Sequence, residues 1–220
     1  MKGYSLLSIV SLVALSSVAS AQVGPTPYLQ ASDSPWSSLF SNGQFYLDDL
    51  EDGFLNTPGV TASVGSVLST GNLRDSVDGD DGVIDGDGGD GNSFFHNNSV
   101  NGIRFTFSSG TYGTLPTHAG LVWTDGNSGG TIRFEAFDGA GVSLGVITGN
   151  HATGGVTGQT DEDRFYGWVN PGGIGSVLIS QSGAGGIEVD HIQYGAVPEP
   201  ATMTLLGLGV AAVAARRRRK

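Results

Sequence analysis

The sequence predicts an all-β domain, a two-layer antiparallel β-sandwich. Three observations carry this. Short apolar runs with two-residue alternation recur through the middle of the chain, the period of a strand with one buried face. Glycine is 37 of 220 residues, more than twice the usual ~7%, and the glycines separate those runs as turns do. Between the two chain ends no stretch carries a convincing 3.6-residue period.

The runs, in order, are QFYLDDL, VTASVGSVL, GIRFTFS, HAGLVWT, TIRFEAFD, VSLGVI, RFYGWVN, SVLIS and IEVDHIQYG. In GIRFTFS, Ile103, Phe105 and Phe107 share one face, and Arg104 and Thr106 share the other. In TIRFEAF, Ile132, Phe134 and Ala136 point inward. Arg133 and Glu135 point outward, where they can pair with a neighbouring strand. SDSPWSSLFSN is expected to hold one short helical turn. Strands of this number and length fit a jelly roll.

The ends differ from the middle. Residues 1–21 have Lys2, an apolar centre from Leu6 to Val18, and Ala19-Ser20-Ala21 before Gln22. That is the build of a secretory signal peptide with an A-x-A cleavage site, so the mature chain is expected to start at Gln22. At the other end, Ala201–Ala215 carries no charge and is followed by Arg216, Arg217, Arg218, Arg219 and Lys220. As a helix this run spans about 22 Å at ~1.5 Å per residue, short of a ~30 Å bilayer core. Snorkelling arginines lessen that mismatch. A short transmembrane helix with a cytoplasmic arginine stop is the expectation. A buried C-terminal helix of the domain is the alternative, but such a helix should not be apolar all round and then end in five cations. The expected architecture is thus a sandwich (residues 22–196) between an N-terminal signal helix and a C-terminal transmembrane helix.

Val197-Pro198-Glu199-Pro200, the apolar run and the terminal arginine cluster occur in that order behind an N-terminal signal peptide. Together they resemble the PEP-CTERM sorting signal of Gram-negative bacteria, over residues 197–220. The resemblance implies recognition and removal of the tail by exosortase and association with an exopolysaccharide matrix. It also implies transient residence in the inner membrane before a cell-surface or extracellular destination. It implies no activity for the domain in between.

Residues 22–196 contain four arginines, no lysine and 20 of the 21 acids, a net charge of −16. Nucleic acid requires a basic face, so it is an unsuitable partner. Solubility is one reading of so acidic a surface, and divalent cations are the other. The chain has no cysteine, so stability rests on packing and on any bound metal.

The middle of the chain also resembles a domain that precedes PEP-CTERM tails, through LEDGFLNTPGVTAS, DSVDGDDGVIDG, LPTHAGLVWTDG, FEAFD, EDRFYGW and EVDHIQYG. That resemblance implies a galactose-binding or carbohydrate-binding-module-like jelly roll from Phe45 to Gly195.

The densest chemical signal is DSVDGDDGVIDGDGGDG. Asp75, Asp78, Asp80, Asp81, Asp85, Asp87 and Asp90 put seven carboxylates in 16 residues. Such density is repulsive unless solvated or neutralised. Hard oxygen ligands on a glycine-rich loop suit Ca²⁺, with Asp78, Asp80, Asp85 and Asp87 as ligands, although the spacing is that of no EF-hand. A solvated acidic loop is the alternative. By resemblance to carbohydrate-binding jelly rolls, in which acids on the neighbouring first and last strands hold a structural calcium, Glu51, Asp52 and Asp190 are further candidates. The alternative there is plain surface acids. DGNSGGT resembles a protease serine box, but Asn127 stands where that box has Asp, so it reads as a turn. The four histidines have no zinc spacing, and no segment singles out a catalytic pair of carboxylates. A non-enzymatic protein is expected. Among the tryptophans, Trp123 reads as core. Trp168, with Tyr166 on the same face, is the candidate for stacking on sugar. The leading reading is an exported matrix-associated protein, and the alternative is a calcium-dependent carbohydrate-binding module.

Overall fold

The computed structural model describes residues 20–41, 43, 45–71, 74–77, 91–110, 113–152 and 160–197, together with Gly207, Gly209, Arg216 and Arg217. Among the described residues twelve strands form the sandwich: β1 (Ala21–Pro27), β2 (Phe45–Asp48), β3 (Val60–Ala62), β4 (Ser66–Ser69), β5 (Asn92–His96), β6 (Ile103–Phe107), β7 (His118–Trp123), β8 (Ile132–Phe137), β9 (Ser143–Gly149), β10 (Arg164–Val169), β11 (Ser176–Gln181) and β12 (Ile187–Gly195). The larger sheet runs β1-β10-β7-β12-β5-β4, with β2 also paired to β12. The smaller sheet runs β3-β6-β11-β8-β9. Every strand pairing is antiparallel. This is a two-sheet arrangement consistent with the expected jelly roll.

The alternation read from the sequence sets the inter-sheet core. Ile103, Phe105, Ile132, Phe134 and Ala136 are fully buried, and Phe107 is nearly so. Phe94 meets Phe105 edge-on at 5.4 Å, and Phe134 stacks on Tyr166 at 6.1 Å. Trp123 is core, as expected. Arg133 and Glu135 do point outward; they form an ion pair with each other along β8 at 2.7 Å, and Glu135 also accepts from Ser143 Oγ on the neighbouring strand β9 at 2.7 Å.

A second apolar cluster lies on the outer face of the larger sheet. Tyr28, Trp36, Phe45, Val77, Val122 and Phe165 form it. The chain between β1 and β2 folds over the sheet here, through two short 3₁₀ turns at Ala31–Asp33 and Ser37–Leu39. These turns fall in the segment expected to hold a helical turn. A buried hydrogen-bond chain fastens this cover. Tyr28 OH bonds His191 Nδ1 at 2.9 Å and accepts from Gln193 Nε2 at 2.9 Å, and Ser34 Oγ donates to Gln193 Oε1 at 2.6 Å. We predict that Tyr28→Phe, which deletes the shared hydroxyl, costs about 1–2 kcal/mol. The expected fall in melting temperature is roughly 2–8 °C. No change in a thermal melt would show that the chain does not fasten the cover.

Both faces of the larger sheet are therefore covered at its centre, where every residue of β12 is buried, while the edge strands β1 and β4 keep exposed residues. At Asp190–Gln193 the register of β12 against β7 shifts. There β12 changes its other neighbour from β5 to β2. His191, at φ 44°, takes the left-handed conformation that such a bulge demands.

The expected flanking helices are corrected. Among the described residues no helix is long and apolar enough to cross a membrane. Residues 1–19, the bulk of the expected signal helix, lie outside the described residues, while Ala21 opens β1. In the tail, Gly207, Gly209, Arg216 and Arg217 are helical, and the rest of 198–220 lies outside the described residues. The physical reason is length: the uncharged run from Ala201 to Ala215 is about 22 Å as a helix, against the ~30 Å a bilayer requires. The transmembrane helix and the membrane-anchored stage built on it are withdrawn.

Candidate functional site

The larger sheet gathers carboxylates beneath its outer face. β12 contributes Glu188 and Asp190, the segment before the acidic run contributes Asp75, and the turns at the ends of β7 and β10 contribute Asp125, Glu162 and Asp163. All six are buried. Burying a carboxylate is costly unless it is paired, hydrogen-bonded or protonated. Hydrogen bonds meet part of this demand. Glu188 Oε2 accepts from the Asp75 N–H at 2.8 Å. Asp190 Oδ2 accepts from Ser76 Oγ at 3.0 Å and from the Val77 N–H at 2.9 Å. Its Oδ1 accepts from the His191 N–H at 2.6 Å. Asp125 accepts from the Gly126 N–H.

At Glu188 and Asp125 burial also favours the protonated form. Burial pushes Glu188 up to about 8; the charges of Asp125 and Asp75 add to the shift, while the Asp75 N–H and Arg74 oppose it. Burial also pushes Asp125 up to about 7, opposed by the Gly126 N–H and reinforced by Glu162. Two hydroxyls line the same face. Ser93 precedes Phe94, and Thr124 follows Trp123, the two residues that flank Val189 of β12. Both hydroxyls are buried and have no hydrogen-bond partner among the described residues.

The sequence-predicted residues fall as follows. Asp190 is one of the six buried acids, held by Ser76, the Val77 N–H and the His191 N–H. Glu51 is exposed at the rim of that cluster of acids, where its Oε1 accepts from the Asn92 N–H at 2.7 Å. Ser76 lies between the two: it donates to Asp190, and a side chain at Gly91 (φ +90°) would meet both Ser76 Oγ at 2.7 Å and Glu51 Oε1 at 2.9 Å. Asp52 is turned to its own loop, accepting from the Phe54 N–H at 2.9 Å and from Asn56. Asp78, Asp80, Asp85 and Asp87 lie outside the described residues, but the segment that holds them starts and ends at this cluster, at Val77 and Gly91. Among the described residues no three His, Cys, Asp or Glu side chains form a group that would hold a metal. The donor set is oxygen-rich, which suits a hard cation, and by itself it is incomplete. Sequence reading missed Glu188, Asp125, Glu162 and Asp163. Asp125 sits in a glycine-rich turn, Glu162 and Asp163 lie in the polar run Asp161-Glu162-Asp163-Arg164, and Glu188 stands between Ile187 and Val189; nothing local marks any of them as buried.

Trp168 and Tyr166 are in the core, with relative exposures of 3% and 0%, so neither ring offers a face to a sugar. Trp168 lies on Gly145 and donates to Ser20 Oγ at 2.5 Å. Tyr166 OH bonds His151 Nε2 at 2.6 Å. DGNSGGT is a turn between β7 and β8. Asn127 is held there by Gln181, whose Oε1 accepts the Asn127 N–H at 2.9 Å. Of the sorting motif, Val197 is described and donates to Thr117 Oγ1 at 3.0 Å. Pro198, Glu199, Pro200, Arg218 and Arg219 lie outside the described residues.

Fold and tail together define an exported β-sandwich with a C-terminal address. Residues 196–219 match the PEP-CTERM protein-sorting motif. The chain accordingly carries the sorting signal of an exosortase-processed protein of the cell surface or the medium. No curated protein matches it. Among solved structures it is distantly similar to the C-terminal family 22 carbohydrate-binding module of Clostridium thermocellum Xyn10B, with 16% identity, 71% of this chain and 96% of that one covered, and a TM-score of 0.39. It is also similar to a xylan-binding domain of the same module family (15% identity, 73% and 99% covered, TM-score 0.37). A third likeness is to the enzymatically active domain of bacteriophage CBA120 tailspike protein 4 (20% identity, 78% and 22% covered, TM-score 0.31). These likenesses extend to the all-β fold and no further.

Proposed function

We propose that the sandwich is a non-catalytic module that holds the sorted protein on extracellular polysaccharide. The observation that carries this reading is the sorting motif joined directly to a single sandwich. A protein addressed to the exterior can make its contacts there through the sandwich that precedes the motif. Deleting residues 197–220 in the host should move the protein out of the matrix fraction, and the mature protein should co-sediment with the host's polysaccharide. A mature protein that stays in the supernatant at every polysaccharide concentration would refute the reading.

A second reading concerns metal. We propose that Ca²⁺ binds where the acidic run meets the buried carboxylates, with Asp78, Asp80, Asp85 and Asp87 as ligands beside Asp190 and Glu51. The burial of Glu188 and Asp125 supports it, as do the buried Ser93 and Thr124 hydroxyls. A cation there would neutralise charge that the fold otherwise removes by protonation. Calorimetry on the mature protein with EDTA and then CaCl₂ tests it, and the absence of binding heat would refute it.

A further inference from the structure

The central strands of the larger sheet are covered on both sides, whereas in the smaller sheet β6 and β8 bury one face and leave the other open among the described residues. Strand register lays that open face out in rows. Thr61, Thr106, Ser176, Phe137 and Ser143 run across all five strands. Arg104, Leu178, Glu135 and Val146 form the next row, and Ser180, Arg133 and Thr148 the one after. Hydroxyls thus edge the face, with a half-buried Leu178 at its centre.

The charge of these rows is the reverse of the domain's net −16: they hold two of its four arginines, Arg104 and Arg133, and one acid, Glu135. Glu135 offsets one of the two positive charges, accepting from Arg133 Nη2 at 2.7 Å and from Ser143 Oγ at 2.7 Å, so the rows keep a net charge of +1. Arg104 is held in place. Its Cζ sits 4.2 Å over the Phe137 ring, and its Nη1 donates to Ser176 Oγ at 2.9 Å. A guanidinium stacked and bonded in this way loses little freedom on meeting a ligand. Arg133 keeps 42% of its side chain exposed. The two arginines stand two strands apart, roughly 10 Å.

We propose that this face binds an acidic polysaccharide, a chain of sugars bearing carboxylates, with Arg104 and Arg133 each meeting an acidic group and the Ser and Thr rows meeting sugar hydroxyls. The proposal rests on the reading of the domain as a polysaccharide module and adds the face and the ligand charge. The overall negative charge does not prevent binding. At physiological ionic strength the Debye length is about 8 Å, so an acidic sugar on this face responds to the local arginines more than to distant aspartates.

The test is affinity electrophoresis of the mature protein in gels containing polygalacturonate, with dextran as the neutral control and EDTA throughout to remove bridging by calcium. Retardation by polygalacturonate and not by dextran, weakening with NaCl, is expected. Arg104→Gln with Arg133→Gln should weaken it about tenfold or more. Thr106→Glu with Thr148→Glu should do the same. Both threonines are exposed, so this pair should leave the melting temperature nearly unchanged and keeps the test valid if the arginine variant folds poorly. Phe54→Glu with Val100→Glu adds the same charge at exposed positions off the face and should change retardation less than about threefold.

If the threonine variant binds as the wild type does, the face assignment is wrong and the polysaccharide reading survives. Retardation by dextran alone overturns the ligand charge in the same way. Loss of self-association in the variant, with polygalacturonate binding unchanged, would make the face a contact between copies and overturn the proposal. If neither polygalacturonate, dextran nor the host's own polysaccharide binds, both the inference and the reading fall.

Discussion

In metal-free buffer the protein melts at a higher temperature at pH 6.5 than at pH 8.5, by roughly 4–8 °C. The cause is the pair Glu188 and Asp125. In the folded state burial holds Glu188 protonated up to about 8, against an ordinary 4.5, and Asp125 up to about 7, against 3.8. Across that window the folded chain binds more protons than the unfolded one, so stability falls as pH rises. Between pH 6.5 and 8.5 the two groups together amount to about 2 kcal/mol, which at 2–4 °C per kcal/mol for a domain of this size gives the stated shift. The window ends at pH 6.5 because the histidines act in the opposite sense below it. Burial, with Arg164 nearby, lowers His151 to about 4, and burial lowers His118. Those groups resist protonation in the fold, so they take stability away as pH falls further. Glu188→Gln keeps an acceptor for the Asp75 N–H and removes the titration. It should abolish more than half of the pH slope. Equal melting temperatures at both pH values, or an unchanged slope in Glu188→Gln, would mean that the buried carboxylates are ionised and neutralised by something else.

The smaller sheet was legible in the sequence and the outer side of the larger sheet was not. In β6 and β8 one face is buried and the other open, so apolar and polar residues alternate, and Ile103, Phe105, Ile132 and Phe134 are where that pattern puts them. β12 obeys a different rule. It is covered on both sides, yet it reads IEVDHIQYG, with Glu188, Asp190, His191 and Gln193 all buried. A polar residue under a covered face looks in sequence like a polar residue facing water. Only the cover, Tyr28 to Phe45, distinguishes the two cases, and its apolar residues have no period to announce what they pack against. The same ambiguity misplaced Trp168 and Tyr166. Alternation puts residues two apart on one face, but it does not say which face is inside. Phe165, taken with the other side of β10, packs into the second cluster, so both sides of that strand are buried. In the acidic run, local density pointed toward the cluster. The buried acids at its base come from turns and strands far apart in the chain, which only topology brings together.

Metal should act on the same carboxylates as protons do. Adding about 1–10 mM CaCl₂, the range of extracellular sites, is expected to raise the melting temperature by roughly 5–11 °C. That follows from about 2.7 kcal/mol for a ligand that binds only the folded state at 100 times Kd, with the same 2–4 °C per kcal/mol. NaCl of equal ionic strength should do much less, because screening weakens general repulsion but supplies no chelated divalent charge. The calcium shift should also be larger at pH 8.5 than at pH 6.5. Cation and proton compete for Glu188 and Asp125, and at the lower pH the proton already holds them. Changing Asp78, Asp80, Asp85 and Asp87 to Asn should remove the calcium shift and leave the far-UV β signal intact, since none of the strands among the described residues contains these four positions. If the shift survives that change, the ligands are Glu51 and Asp190 at the base of the run. If CaCl₂ and NaCl act alike at both pH values, the domain binds no calcium, and its acids are neutralised by protons where buried and by solvent where exposed.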